Sequence, residues 1–316
     1  MTAIAFVFPG QGSQSVRMLK AYDGLPEVDA VRTQAGAALG EGFLKILDEG
    51  PAEQLGLTLN TQPAMVTAAI AAYRAWQALG GPAPAIVAGH SLGEYSALVA
   101  AGVLSFGDAL PLVKYRAQCM QESVPEGTGA MAAILGLDDD AAREACAEAE
   151  RGGNAGEAVQ AVNFNAPGQV VIAGHKNAVA RAIEACKARG AKRAMPLPVS
   201  APFHSSLMLP AAIKLEGFLK NVDFLAPWVP VMNNVDVRME SDPGRIKDAL
   251  VRQAASPVRW VEIIRAMAEE GVTHIVECGP GRVLAGLVKR IDPRMQGLAA
   301  TDRASLEQAL ATCAGK

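Results

Sequence analysis

Gly89-His-Ser-Leu-Gly93 follows the apolar run Ala85-Ile-Val-Ala88 and precedes a helical stretch from Glu94 to Ala101. A G-x-S-x-G sequence between a buried strand and a helix makes a nucleophile elbow, a strained turn in which backbone crosses close to backbone and side chains at the flanking positions do not fit. The turn exposes the Ser91 oxygen above a sheet edge at a helix N-terminus, where the Leu92 N–H points at the place an oxyanion would form. A plain Gly-rich strand–helix turn with a surface serine is the competing reading. Either way, the chain must build a strand that hands directly to a helix, which is α/β architecture.

The remaining chain repeats that alternation. Ala3 to Phe8 is a short apolar run closed by Pro9-Gly10, and it starts a parallel sheet. Thr61 is expected to N-cap an Ala-rich helix with Pro63 in its first turn, running to Leu79 before Gly80-Gly81. Between about Thr128 and Pro198 the order becomes strand (130–135), helix (139–150), strand (159–164), strand (169–174), helix (177–189), strand (193–198). This β-α-β-β-α-β order is a ferredoxin-like unit, with residues 151–156 as its exposed loop. After it come a helix over 210–218, a strand at 229–232, a helix over 259–270 and a strand at 274–277. The expected division is a core of residues 1–127 and 199–316 with an inserted subdomain at 128–198.

The 316 residues, half of them hydrophobic and 19% charged, exclude disorder and fibrous repeats. A formal charge of -3 and a pI near 5.9 exclude general nucleic-acid binding. Five cysteines, with no CxxC pair, support neither a disulfide framework nor a zinc site, and no metal is expected. The N-terminus has no basic segment before its apolar run, and no run approaches the ~20 apolar residues of a spanning helix. A soluble cytoplasmic protein without membrane association is expected.

A serine hydroxyl needs a base, usually histidine. His90 adjoins Ser91 in the turn and should point elsewhere, His175 lies in the insert, and His274 begins an apolar strand; each reads as structural. His204, in an irregular Pro-rich segment where the chain returns to the core, is the best base. Pro9-Gly-Gln-Gly-Ser-Gln14 follows the first strand and is placed to give a second oxyanion donor, the Gln11 N–H. The same segment matches neither GxxxxGK[ST] nor GxGxxG, so it gives little support to a nucleotide site. Arg116, on a helix that also carries apolar residues, could either salt-bridge at the surface or enter the pocket to bind a carboxylate, and by itself it reads as the surface residue.

Phe8-Pro-Gly-Gln-Gly-Ser-Gln14, Gly89-His-Ser-Leu-Gly-Glu-Tyr-Ser-Ala-Leu98, Arg116 four residues before Met120-Gln121, and His204-Ser205 together resemble the malonyl-CoA:acyl carrier protein transacylases. Thr61-Gln-Pro-Ala64, Asn163 to Gly174, Asn233-Asn-Val-Asp236, Gln253 before Pro257-Val258 and Glu277-Cys-Gly-Pro-Gly281 extend the resemblance over the whole chain. It implies an α/β-hydrolase-like core with the ferredoxin-like insert. It also implies Ser91 as acylated nucleophile, His204 as base, the Gln11 and Leu92 main-chain N–H groups as oxyanion hole, and Arg116 as ligand of the malonyl carboxylate. Gln253 is implied as the position whose main-chain carbonyl orients the histidine. Phe203, before the histidine, resembles malonyl-selective members.

The activity so implied is malonyl transfer from malonyl-CoA to the phosphopantetheine thiol of an acyl carrier protein, with no tightly bound cofactor and a monomeric enzyme. Fatty-acid and polyketide synthesis stay open, as does discrimination against methylmalonyl-CoA. A serine thioesterase or hydrolase using the same elbow is the rival, though its triad wants an acid between serine and histidine, and acids there such as Asp138 to Asp140 mostly fall in the insert. A scaffolding subunit without activity would not need Ser91, His204 and Arg116 together. Lys192, Arg193, Lys289 and Arg290 are candidates for docking an acidic carrier protein, with a solvated charged face as the alternative.

Overall fold

All five residues of β1 (Ile4–Phe8) and all four of β2 (Ile86–Gly89) are buried, as continuous apolar runs must be when helices cover both faces of a parallel sheet. The computed structural model describes residues 3–199 and 201–314. Four strands follow β2 in an antiparallel sheet of their own: β3 (Gly129–Leu135), β4 (Val159–Ala166), β5 (Gln169–His175) and β6 (Arg193–Pro196). The chain then returns to the first sheet with β7 (Val231–Met232), β8 (Met239–Glu240), β9 (His274–Cys278) and β10 (Gln296–Ala300). The large sheet has the order β10-β9-β1-β2-β7-β8, parallel except where β8 pairs antiparallel with β7. Neighbouring β1 and β2 therefore place the loop after Phe8 and the turn after Gly89 side by side at their C-terminal ends, where open α/β sheets form their sites.

Helix Thr58–Ala78 covers this sheet, and its small alanines let Tyr73 and Trp76 approach Phe6 edge-on at 5.6 and 5.2 Å between ring centroids. It begins three residues before the expected cap. Leu57 precedes it in extended conformation, and the Thr61 hydroxyl instead donates back to the Leu55 and Leu57 carbonyls at 2.6 and 3.1 Å. Pro63 then lies inside the helix, where the missing N–H removes a single bond near its start.

The small sheet has the order β4-β5-β3-β6. Helices Asp139–Arg151 and Lys176–Ala188 supply the alanine and cysteine side chains that cover one face. Its other face, Met131, Val162, Val171 and Ala173, packs against Leu197 and Phe203. At Gly129 a Cβ would lie 2.4 Å from the Pro202 ring, so β3 and the segment carrying His204 are in direct contact.

Glu277, at the end of β9, is fully buried; one carboxylate oxygen accepts the Ala285 N–H at 2.8 Å and the other has no partner. Burial pushes its carboxyl from 4.5 up to about 7. The folded state then holds the proton more tightly than the unfolded chain. The stabilisation is complete below the unfolded value and is lost as pH rises through about 7. Denaturant titrations at several pH values should show Glu277→Gln gaining on the parent chain by up to about 3 kcal/mol between pH 5 and 8. A difference independent of pH would contradict a carboxyl raised by burial.

Candidate active site

Ser91 sits at φ 53°, in the left-handed region, between two glycines that nothing larger can replace. A Cβ on Gly89 would lie 1.8 Å from the Gly93 carbonyl carbon, and one on Gly93 would lie 2.0 Å from the Phe8 oxygen. The turn is braced from across the sheet. Asn234 accepts the Ser91 N–H through Oδ1 at 2.8 Å and donates through Nδ2 to the Gly89 carbonyl at 2.7 Å. The N–H groups of Gly93, Glu94 and Tyr95 donate to the carbonyls of His90, Ser91 and Leu92. The N–H groups of Leu92 and Gln11 meet no acceptor among the described residues.

His204 Nε2 lies 2.6 Å from Ser91 Oγ, and Nδ1 lies 2.9 Å from the main-chain oxygen of Gln253. A carbonyl only accepts, so Nδ1 carries the proton and Nε2 is left to receive the serine's. Burial, and then the nearby Arg116 charge, pushes the imidazole down to about 3, which keeps it neutral, with Nε2 unprotonated, in the resting site. His204 is itself at φ 64°. Phe203 beside it packs both on the small sheet and on the cluster of Cys119, Met120 and Met208. The other histidines are engaged elsewhere: His90 Nε2 with Asn165 Oδ1 at 2.8 Å, His175 Nδ1 with the Ala158 N–H at 2.9 Å, and His274 Nδ1 with Thr273 Oγ1 at 2.9 Å.

Arg116, which read as a surface residue, is 1% exposed. Its helix, Phe106–Gln121, buries Ala109, Leu112, Val113, Ala117 and Met120 along with it, so the position falls on the packed face. One terminal nitrogen donates to Gln62 Oε1 at 3.0 Å, the other to Gln253 Oε1 at 3.0 Å and to Ser91 Oγ at 3.2 Å. The guanidinium carbon stands 5.5 Å from the centre of the Tyr95 ring, and among the described residues Nε has no partner. Among the described residues no carboxylate lies within ion-pair distance. A buried cation held by neutral amides beside a nucleophile is poised for an anion that the protein does not supply.

Three neighbours escaped the sequence reading. Gln62 receives Arg116 and donates to Gln11 Oε1 at 3.2 Å, tying the loop after β1 to the guanidinium. Asn234 holds the elbow. Glu94, 1% exposed, is a buried exception among the acids between Ser91 and His204, most of which lie in the insert as expected. It accepts the Asn234 N–H and Gln253 Nε2, both at 3.0 Å, and it stands apart from the histidine, whose Nδ1 is occupied by the Gln253 carbonyl. All three lie in segments that carried the resemblance, Thr61 to Ala64, Asn233 to Asp236 and Gly89 to Leu98, which was the available signal.

A cavity of about 390 Å³ between the small sheet and the core has His204, Phe164 and Pro257 in its wall. Lys192, Arg193, Lys289 and Arg290 are exposed. Arg290 donates to Gln169 Oε1 at 2.9 Å and to the Pro167 carbonyl at 3.3 Å. The Lys192 chain lies over Gly136, whose N–H donates to the Gly168 carbonyl. Arg290 therefore borders the turn between β4 and β5, and Lys192 lies against Gly136, which bonds to that turn. Among the described residues there is no cluster of metal-ligating side chains and no helix long and apolar enough to cross a membrane, and all five cysteines are free and buried.

A serine beside a histidine in this geometry can carry acyl transfer, and acyltransferases are the class to which the chain belongs. Residues 5–297 match the model of the acyl transferase domain, and the chain belongs to that family. It is 55% identical over 311 residues to the malonyl CoA-acyl carrier protein transacylase of Escherichia coli K12, covering 98% of this chain and 99% of the relative. The protein of the same name from Bacillus subtilis is 46% identical over 313 residues, covering 99% and 98%. Among solved structures, an acyl-carrier-protein S-malonyltransferase from Burkholderia pseudomallei superposes with a TM-score of 0.94 at 60% identity, covering 98% of this chain and 99% of the other. A malonyl-transacylase in complex with its type II PKS acyl-carrier protein does so with a TM-score of 0.95 at 50% identity, covering 98% and 100%.

Proposed function

We propose that the chain transfers a malonyl group from malonyl-CoA to the phosphopantetheine thiol of an acyl carrier protein, supplying extender units for fatty-acid or polyketide synthesis. The observation that carries this reading is Arg116, a buried guanidinium without a carboxylate partner whose fork ends 3.2 Å from Ser91 Oγ. In the first half-reaction Ser91 Oγ attacks the thioester carbonyl as its proton passes to His204 Nε2. The N–H groups of Gln11 and Leu92 hold the oxyanion, Arg116 holds the distal carboxylate, and the C–S bond breaks to release CoA, which takes the proton. In the second, the carrier thiol gives its proton to His204 and attacks the malonyl-serine ester, and the serine oxygen leaves with that proton. The Gln253 carbonyl keeps the imidazole in the working tautomer throughout.

The same proposal takes residues 128–198 as one unit inserted into a core of 1–127 and 199–316, working as a cytoplasmic monomer without a tightly bound cofactor. Lys192, Arg193, Lys289 and Arg290, all exposed, receive the acidic face of the carrier. Offering the loaded enzyme both water and holo-carrier protein tests the reading. Transfer should far outpace hydrolysis, and reversing charge at the four basic residues should raise the carrier KM while leaving malonyl-CoA loading unchanged. Rapid hydrolysis with no transfer would make the enzyme a thioesterase, and a loading defect in the charge-reversed variant would remove the dock.

A further inference from the structure

We propose that Glu94 is a positioning residue: its carboxylate decides which way the Gln253 amide faces, and that amide holds the Arg116 fork toward the substrate carboxylate. This rests on the role given to Arg116 above. The two ends of a glutamine amide have nearly the same shape, so hydrogen-bond partners alone decide its orientation. Gln253 Nε2 meets two groups that only accept, the Ser91 carbonyl at 2.9 Å and Glu94 Oε2 at 3.0 Å. Gln253 Oε1 meets a group that only donates, the Arg116 guanidinium at 3.0 Å. A flipped amide would set oxygen against oxygen on one side and two N–H donors against each other on the other.

Glu94 is anchored in turn. Its Oε2 also accepts the Asn234 N–H at 3.0 Å, and Asn234 clasps the elbow on both sides of His90. Gln253, Glu94 and Arg116 are each no more than 1% exposed. Burial pushes the Glu94 carboxyl up to about 7, against the pull of Gln253, Asn234 and Arg116, so above neutrality it is the acceptor-only carboxylate that the amide requires.

The test compares kcat/KM for malonyl-CoA and acetyl-CoA at pH 8 in the parent enzyme, Glu94→Leu, Arg116→Ala and the double variant, with Tm measured for each. Both donors to Glu94 meet the same oxygen, Oε2, and leucine fills most of the space while removing that acceptor. The preference for malonyl over acetyl should fall about tenfold or more, with acetyl loading little changed. In the double variant the preference should be no lower than in Arg116→Ala alone, because both changes act through the same guanidinium. A folded Glu94→Leu enzyme with an unchanged preference, or one that loses both substrates in proportion, would overturn the proposal. If Arg116→Ala loses the preference while Glu94→Leu keeps it, only the relay fails. If Arg116→Ala keeps it, the carboxylate reading falls and the relay with it. Should Glu94→Leu not fold, Gln253→Leu removes the amide from the other end and leaves the main-chain carbonyl for His204. It should show the same loss of preference, and an unchanged preference there overturns the proposal equally.

Discussion

His204→Ala is expected to slow both malonyl loading and transfer to the carrier by about 10²–10⁴-fold each, because one imidazole takes the proton in each half-reaction and returns it in the same step. Among the described residues Ser91 Oγ has two neighbours within hydrogen-bond distance, His204 Nε2 at 2.6 Å and Arg116 at 3.2 Å, and a guanidinium does not accept a proton. Burial and Arg116 hold His204 neutral, so its Nε2 is unprotonated before substrate arrives. Single-turnover rates for the two half-reactions, measured separately, check this. Near-normal turnover in the variant would mean that another base, with His90 as the nearest candidate by sequence, reaches Ser91.

Arg116→Ala should collapse malonyl transfer and bring a gain, absolute or at least relative, in acetyl transfer. Two effects act in the same direction. The planar fork meets a carboxylate through parallel charge-assisted bonds, and acetyl has nothing to offer it. In the parent pocket an acetyl group also leaves a buried cation uncompensated, at a cost of several kcal/mol. Alanine removes both the attraction for malonyl and the penalty on acetyl. Lysine should rescue poorly, since a point charge reproduces neither the fork nor the grip of Gln62 and Gln253 on its two nitrogens. The comparison of kcat/KM for both substrates in the parent, Ala and Lys enzymes decides. Equal loss of both substrates in the Ala variant would make Arg116 a structural residue and place carboxylate recognition elsewhere.

The parts of this site that could be read from the sequence were those in which local chemistry dictates local shape. Gly89 and Gly93 flank a turn that tolerates no side chain, and the apolar runs on either side of such punctuation admit few arrangements. The βαββαβ unit was legible for the same reason, since β3 to β6 alternate with two strongly amphipathic helices closed by glycines and polar loops. The start of helix Thr58–Ala78 was misplaced because Thr61 has the chemistry of a cap but spends its hydroxyl on carbonyls of the preceding turn. Helices Pro26–Leu39, Pro243–Gln253 and Arg303–Cys313 and the edge strand β10 went unread. β10, Gln296-Gly-Leu-Ala-Ala, is weakly apolar and half-covered, and only pairing with β9 makes it a strand.

Arg116 shows the other limit. Its neighbours Lys114, Tyr115 and Gln118 make the segment look like a solvated face, and burial of position 116 depends on which side of the helix meets residues 58–78 and 209–219. Gln62, Glu94 and Asn234 reach the site from three separated segments, and apart from the resemblance of those segments their residue types do not set them apart from ordinary polar residues. Their roles exist only once β1, β2 and β7 lie side by side.

The most direct test of malonyl transfer through Ser91 is intact mass spectrometry of the enzyme after incubation with malonyl-CoA, acetyl-CoA or methylmalonyl-CoA, in parallel with Ser91→Ala. The expected result is a single malonyl adduct on the parent enzyme that maps to Ser91, is discharged on adding holo-carrier protein, and is absent from a folded Ser91→Ala variant. A malonyl adduct persisting on that variant, or transfer to the carrier without any adduct on the parent enzyme, would contradict it.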